Sequence, residues 1–185
     1  LFLGSGSVIH AFKDEQDIRN MGGVRKKLPY TYVLMLIGTL ALTGFPFLSG
    51  FYSKDAIIEF AYLRNSSLGN YAATIGIFTA FLTSIYSWRL FFKTFHGSYN
   101  NKRISIDETH ESPIIMLIPL LFLGVGALFA GYFFKETFIG HHSKDFWQAS
   151  IFFLNEIKHD AIPKWFLLLT PFLVIVSIPI SFYYF

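Results

Sequence analysis

The sequence from Leu42 to Asp55, LTGFPFLSGFYSKD, lies in the middle of a long apolar segment. This segment stays compatible with a helix from Tyr30 to Leu63, a length of 34 residues. A straight helix of that length extends about 51 Å at roughly 1.5 Å per residue, whereas the hydrocarbon core of a bilayer is about 30 Å thick. The segment therefore either leaves a membrane near Lys54 or is broken within it.

Three residues inside this stretch favour a break. Gly44, Pro46 and Gly50 fall within seven residues of one another, and a proline inside a helix removes a backbone hydrogen bond and clashes with the preceding turn. Non-helical backbone at membrane depth survives only inside protein or beside a water-filled cavity. The sequence thus predicts a helix break beside Lys54, and transporters place ion-handling groups at such interrupted helices.

Uncharged runs long enough to cross a membrane recur along the rest of the chain. A spanning helix needs about 20 predominantly apolar residues. Runs of 26, 24, 23 and 21 residues without a charge occupy positions 28–53, 65–88, 112–134 and 165–185. Four such runs in one chain of 185 residues favour a polytopic membrane protein over a soluble core of buried helices.

The predicted fold class is all-α, a polytopic transmembrane helical bundle with one discontinuous helix. We expect the tail of a helix at 1–9, the broken transmembrane helix at 28–63, and transmembrane helices at about 68–96, 113–134 and 164–185. Residues 146–154 are too few to span and favour a helix lying in the membrane interface. Leu1 already lies within an apolar helical pattern, and the sequence does not start with a signal peptide. The 185 residues are therefore expected to be an excerpt of a longer protein.

Composition and charge exclude several classes of function. The chain is 53% apolar and only 15% charged, compared with about 25% charged residues in soluble domains. Its formal net charge of +3 is too weak and dispersed for a nucleic-acid partner. The absence of cysteine excludes disulfides, cysteine-ligated zinc and iron–sulfur clusters in this sequence. His141, His142 and His159 have no partners at a recognised metal spacing, so no metal site is predicted.

The basic residues predict an orientation in the membrane. Counting Lys and Arg, the first and third connections together carry nine and the second and fourth carry five. Cytoplasmic loops, or their mitochondrial equivalents in the matrix, carry the excess of positive charge. The connection before residue 28 is therefore expected on the cytoplasmic or matrix side.

Lys54 has two interpretations. In the first, the stem of the side chain lies along lipid and the ammonium lies among headgroups. In the second, the side chain is buried, and desolvation penalises its charged form so that it can take and release protons. Asp55 would favour the charged lysine, and Asp55 and Glu59 share a helix face that would either extend a proton path or solvate an exit. His10, at a helix end, is a weaker candidate for the proton route.

Two segments carry a resemblance to a known family. The first contains GSGSVIH at 4–10, DEQDIR at 14–19 and MGG at 21–23, and the second is the stretch 42–55. Together they resemble the antiporter-like membrane subunits of the proton-pumping NADH:quinone oxidoreductase, respiratory complex I. Weaker similarity continues through 84–95 and 110–131.

This resemblance implies a discontinuous helix broken around Gly44 to Gly50 and a protonatable lysine at Lys54 in an exit-side half-channel. It implies that this chain holds no cofactor, because NADH, FMN, the iron–sulfur clusters and quinone would bind to partner subunits. The implied partners are the lipid bilayer and the other membrane subunits of complex I, in a bacterial inner membrane or a mitochondrial inner membrane.

Two other functions stay open at this point. The large subunit of a multisubunit sodium/proton antiporter shares the broken-helix architecture, although DEQDIR at 14–19 and the triplet Ser53–Asp55 favour the oxidoreductase. A purely structural membrane scaffold, with Lys54 in contact with headgroups only, is the third.

Overall fold

The computed structural model describes residues 1–101, 105–140, 142–150 and 162–185. All regular structure in these residues is helical, which confirms the predicted all-α fold. The α-helices are α1 (Phe2–Ala11), α2 (Pro29–Thr43), α3 (Ser49–Leu63), α4 (Ser67–Phe95), α5 (Ile114–Phe138), α6 (Ser143–Trp147) and α7 (Lys164–Tyr184).

Three of these helices, α4, α5 and α7, are long and apolar enough to cross a membrane. Helix α2 is equally apolar but has only 15 residues, which at about 1.5 Å per residue is too short to span a bilayer alone. Helix α3 continues the chain after five residues outside any helix, 44–48. The residues 44–48 are called the helix break below.

The helices pack into one bundle around two buried clusters. Helix α4 contacts both α2 and α7, and α3 lies between α4 and α5. The larger cluster is aromatic and joins α1, α2 and α4, with Phe12, Met35, Trp88, Phe91 and Phe95 among its buried members. The smaller cluster joins α3, α4 and the start of α7. Both clusters hold α2 and α3 against the same partner, α4.

The outer surface of the bundle is apolar. Helix α5 exposes large side chains such as Ile115, Phe122 and Phe133, each more than two-thirds exposed. A soluble monomer rarely exposes contiguous apolar patches of this kind, whereas lipid and neighbouring membrane helices accept them. The chain is therefore a multi-pass membrane protein.

The connection after α5 is described only in part. Helix α6 packs its aromatic rings on the end of α5, with the Phe146 and Phe138 centroids 4.8 Å apart and Trp147 Nε1 donating to the Phe138 carbonyl at 3.0 Å. Residues 151–154 of the predicted interfacial segment, as well as His141 and His159, lie outside the described residues.

Candidate functional site

The C-terminal end of α2 is closed by a glycine in a left-handed conformation. Gly44 has φ +80°. Its N–H donates to the Ala41 carbonyl at 3.2 Å and the Phe45 N–H donates to the Leu40 carbonyl at 3.0 Å. This is the pattern of a Schellman cap, which satisfies two of the last carbonyls of a helix. The Thr43 carbonyl lies outside this pattern and remains available to another donor.

Lys54 supplies that donor from the other side of the helix break. Its Nζ donates a hydrogen bond to the Thr43 carbonyl, so the side chain runs from α3 back to the end of α2. The C-terminal end of a helix carries a partial negative charge that attracts a cation. The structure therefore places the half-buried ammonium of Lys54 at the helix break, between two helix ends.

Two glycines are required around the helix break, Gly44 by its left-handed backbone and Gly50 by the close approach of α2. A Cβ on Gly44 would stand 2.7 Å from both Cε and Nζ of Lys54. A Cβ on Gly50 would overlap the carbonyl of Ala41 in α2. Pro46 lies in the turn between the helices, where its missing N–H and its ring interrupt no helix. Gly44 and Gly50 are thus required by the geometry of the break, and Pro46 is accommodated in the turn.

The neighbouring acid is more buried than the lysine. Asp55 is only 6% exposed, and neither of its carboxylate oxygens has a hydrogen-bond partner within the described part of the chain. Glu59 lies one turn further along α3 and is half-buried. A buried carboxylate without hydrogen bonds is costly, so this arrangement needs a reason beyond packing.

His10 lies apart from this group. The N-terminal end of α1 packs on α2, because Cβ atoms on Gly4 and Gly38 would contact Met35 and Leu1 respectively. The C-terminal end of α1, where His10 is exposed, points toward the start of α2. The structure therefore brings Lys54, Asp55 and Glu59 together on one helix and does not bring His10 to them.

Sequence reasoning missed Ser49, the first residue of α3. Its hydroxyl donates to the Gly126 carbonyl of α5 at 2.9 Å and accepts from the Gly131 N–H at 2.9 Å. It also missed Glu111, whose carboxylate accepts from the Tyr30 N–H at 2.9 Å at the start of α2 and from the Thr31 hydroxyl. Both contacts join residues about 80 positions apart, which local patterns do not reveal.

Comparison with known proteins defines the class. The sequence profile of the family described as "NADH:quinone oxidoreductase/Mrp antiporter, TM" matches residues 1–83, which include α1, α2, α3 and the helix break. Over these residues the chain matches this family of membrane proteins.

Individual relatives are more specific. The chain is 50% identical to "NADH-ubiquinone oxidoreductase chain 5" of Marchantia polymorpha over 163 residues, which are 87% of this chain and 24% of the relative. It is 46% identical to the protein of the same name from Phytophthora infestans over 187 residues, 99% of this chain and 28% of the relative. The chain 5 protein of Arabidopsis thaliana is 49% identical over 87% of this chain and 24% of its own length. The chain thus spans about a quarter of the length of these relatives.

Proposed function

We propose that this chain contributes a proton-translocating segment to the membrane part of an NADH:quinone oxidoreductase, with Lys54 as the proton-carrying group of an exit half-channel. The observation that carries the proposal is the hydrogen bond from Lys54 Nζ to the Thr43 carbonyl at the helix break. A lysine that served only as an anchor to headgroups would extend away from the bundle, whereas this one turns inward.

The helix break can hold a lysine in either protonation state. The ammonium has three donors and no acceptor, and the Thr43 carbonyl at a negative helix end is one partner for them. When the proton leaves, the Schellman cap of α2 stays closed, because the hydrogen bonds of Gly44 and Phe45 do not depend on Lys54. The neutral amine keeps two N–H donors, so it can still donate to the Thr43 carbonyl, and its lone pair can accept a proton from water in a channel.

Asp55 supplies a way to change the proton affinity of the site. Moving one charge against 100 mV requires about 2.3 kcal/mol, which corresponds to a change of roughly two pKa units between two states of a pump. The Asp55 carboxylate lies next to Lys54 in sequence and has no hydrogen bond that fixes it within the described residues. A small displacement of this charge relative to Lys54 would supply a change of that order.

The redox chemistry of the proposed enzyme takes place in partner subunits. The relatives carry the name of an NADH-ubiquinone oxidoreductase, and a sequence without cysteine offers no ligand set of the kind that iron–sulfur clusters use. NADH, FMN, the iron–sulfur clusters and quinone are accordingly assigned to other subunits. The chain works beside other membrane subunits of complex I, in a mitochondrial or bacterial inner membrane, and couples proton exit to quinone reduction.

The alternative is the large subunit of a multisubunit sodium/proton antiporter, because the matched family description also includes Mrp antiporters. The chain 5 relatives favour the oxidoreductase. The two functions differ in what drives transport. Proton release that stops when quinone reduction is inhibited supports the oxidoreductase, and sodium-driven proton movement without electron transfer supports the antiporter.

The direct test replaces Lys54 with Ala in the assembled enzyme and measures quinone reduction together with proton release. We expect K54A to lose proton release through this subunit while the complex still assembles, because alanine cannot carry a proton. The matched control is Lys93→Ala, which removes a lysine near the end of α4 where its Nζ lies 5.8 Å from the Phe185 ring. Normal proton release in fully assembled K54A contradicts the proposal.

A further inference from the structure

We propose that Ser49 is a positioning residue that couples the helix break to α5 and thereby controls the contact between Lys54 and the end of α2. This inference rests on the proposed function of Lys54. It concerns a different residue of α3 and the contact of that residue with α5, and it has a structural readout that does not depend on proton transport.

The Ser49 hydroxyl bridges two backbone groups of α5. It donates to the Gly126 carbonyl and accepts from the Gly131 N–H, both at 2.9 Å. In a regular α-helix each N–H donates to the carbonyl four residues earlier, but these two groups are five residues apart. The helix itself is continuous over Ile114–Phe138, so the hydroxyl bridges two backbone groups of one helix. Ser49 therefore acts on the backbone of α5 and not only on its surface.

The close approach of the two helices depends on one of the two glycines. A Cβ on Gly131 would stand 2.5 Å from Ser49 Cα and 2.8 Å from Tyr52 Cδ2, whereas a Cβ on Gly126 would meet nothing within 4 Å. The contact is thus specific to the point where the hydroxyl enters α5. One turn further along α5, Lys135 Nζ lies 5.4 Å from the Tyr52 ring, so the first turn of α3 also contacts α5 beyond Gly131.

This contact sets the position of Lys54 because Ser49 and Lys54 belong to one continuous helix. Ser49 is the first residue of α3 and Lys54 follows one and a half turns later. A shift of α5 at 126–131 moves the start of α3, and this changes whether Nζ reaches the Thr43 carbonyl on α2. Conversely, breaking the Lys54 contact releases α3 to move against α5. Helix α5 is therefore the element through which a neighbouring subunit can act on the proton site.

The test compares three variants in the intact complex. Ser49→Ala removes both hydrogen bonds, and Ser49→Thr keeps a hydroxyl. Ser53→Ala is the matched control, because the hydrogen bonds of the Ser53 hydroxyl within the described residues go to carbonyls of its own helix, at 3.4 Å. The structural readout is amide hydrogen exchange of the α5 peptide containing Gly131, and the functional readout is the number of protons released per quinone reduced.

In S49A we expect the exchange rate of the Gly131 amide hydrogen to rise about fivefold, the factor that follows from the loss of one hydrogen bond of ordinary strength. We also expect S49A to lower the ratio of protons to quinone at least twofold, with Ser49→Thr restoring most of that ratio and Ser53→Ala leaving both readouts unchanged. The variant removes one oxygen atom, so assembly is expected to be normal, and the amount of assembled complex is measured alongside.

Three results would overturn the inference. Unchanged exchange in S49A shows that the hydroxyl does not hold α5. Faster exchange with a normal ratio of protons to quinone shows that the contact between Ser49 and α5 is structural only. If Lys54→Ala is inactive in the same experiment, the proposed function of Lys54 stands and only the role of Ser49 is lost. Failure of Ser49→Thr to restore a lowered ratio shows that the hydroxyl is not the cause. Normal proton release in Lys54→Ala defeats the proposed function itself, while the exchange measurement still decides the contact.

Discussion

Two polar regions of different character lie inside the bundle in the part of the chain that the structure describes. The first is the helix break, where the Lys54 ammonium bonds to a helix carbonyl and the Asp55 carboxylate is buried. The second lies between α4 and α7 and consists of the hydroxyls of Ser84, Ser177 and Ser181, called the serine seam here. In the seam, Ser84 Oγ lies 2.5 Å from Ser177 Oγ, which in turn donates to the Val174 carbonyl at 2.6 Å.

The two regions differ in the kind of polar group that they contain. Hydroxyls are small and neutral, and between membrane helices they permit close approach and hydrogen-bond to one another. The serine seam is explained completely in these terms. Ionisable groups at membrane depth cost about 2.5–3.5 kcal/mol each on insertion scales, and packing alone does not require them. This difference agrees with the function proposed for the helix break, which is not proposed for the seam.

Gly44→Ala attacks the helix break where its geometry is tightest. The substitution places a Cβ on a residue with φ +80°, which costs about 1–2 kcal/mol in the left-handed region. The new Cβ would also stand 2.7 Å from Cε and Nζ of Lys54, so the lysine side chain has to move. We expect proton release to fall at least tenfold even where the complex assembles. The control is Gly6→Ala in α1, because a Cβ there would meet nothing within 4 Å. If proton release were the same in the two variants, the cap at Gly44 would have no special importance for proton release.

Asp55→Asn tests whether charge or shape matters at the helix break. Asparagine has nearly the same shape but no negative charge, so it changes the electrostatic environment of Lys54 and leaves the packing intact. We expect proton release to slow about tenfold, equivalent to about 1.4 kcal/mol, while quinone reduction is affected less. Asp107→Asn is the matched control, because that carboxylate is 87% exposed and pairs with Lys27. An active D55N would mean that Asp55 is a structural residue like those of the seam.

The sequence predicted the parts of this site that depend on local patterns. Uncharged runs of about 20 residues indicate spanning helices because bilayer thickness fixes their length, and the spacing of Gly44, Pro46 and Gly50 indicates a break. The contacts of Ser49 with α5 and of Glu111 with α2 could not be predicted, because they join residues far apart in sequence. A single sequence also does not reveal which serine among many will insert into another helix.

The pairing within the serine seam can be measured with a double-mutant cycle. Ser84→Ala and Ser177→Ala each remove one partner of the 2.5 Å contact. We expect a coupling energy of about 0.6 kcal/mol, the average for hydrogen bonds between membrane helices, from the thermal stability of the assembled complex. Proton release should be normal in both single variants and in the double variant. Loss of proton release at normal stability would make the seam part of a proton path, and the contrast with the helix break would fail.

A third set of charges, outside the membrane, completes the comparison. Lys13 Nζ lies 2.6 Å from Glu108 Oε2 in an exposed ion pair that joins the loop before α5 to the connection after α1. The hydrogen bond from Lys13 holds the pKa of Glu108 below its ordinary value, with a second bond from Ser105. A carboxyl group with a lowered pKa contributes stability above its ordinary value near 4.5, and that contribution disappears as the pH falls through the folded value.

Because water and salt screen this pair, we expect Glu108→Gln to have the smallest effect of all. Proton release and thermal stability at pH 7 should match those of the unmodified enzyme. Limited proteolysis of the loop at 105–112 should become faster in the unmodified enzyme below about pH 4.5, whereas in E108Q it should be equally fast at neutral and acid pH. If E108Q instead impaired proton release as strongly as Asp55→Asn, the position of a charge relative to the membrane would not determine its role, and the distinction between the helix break and the rest of the molecule would be lost.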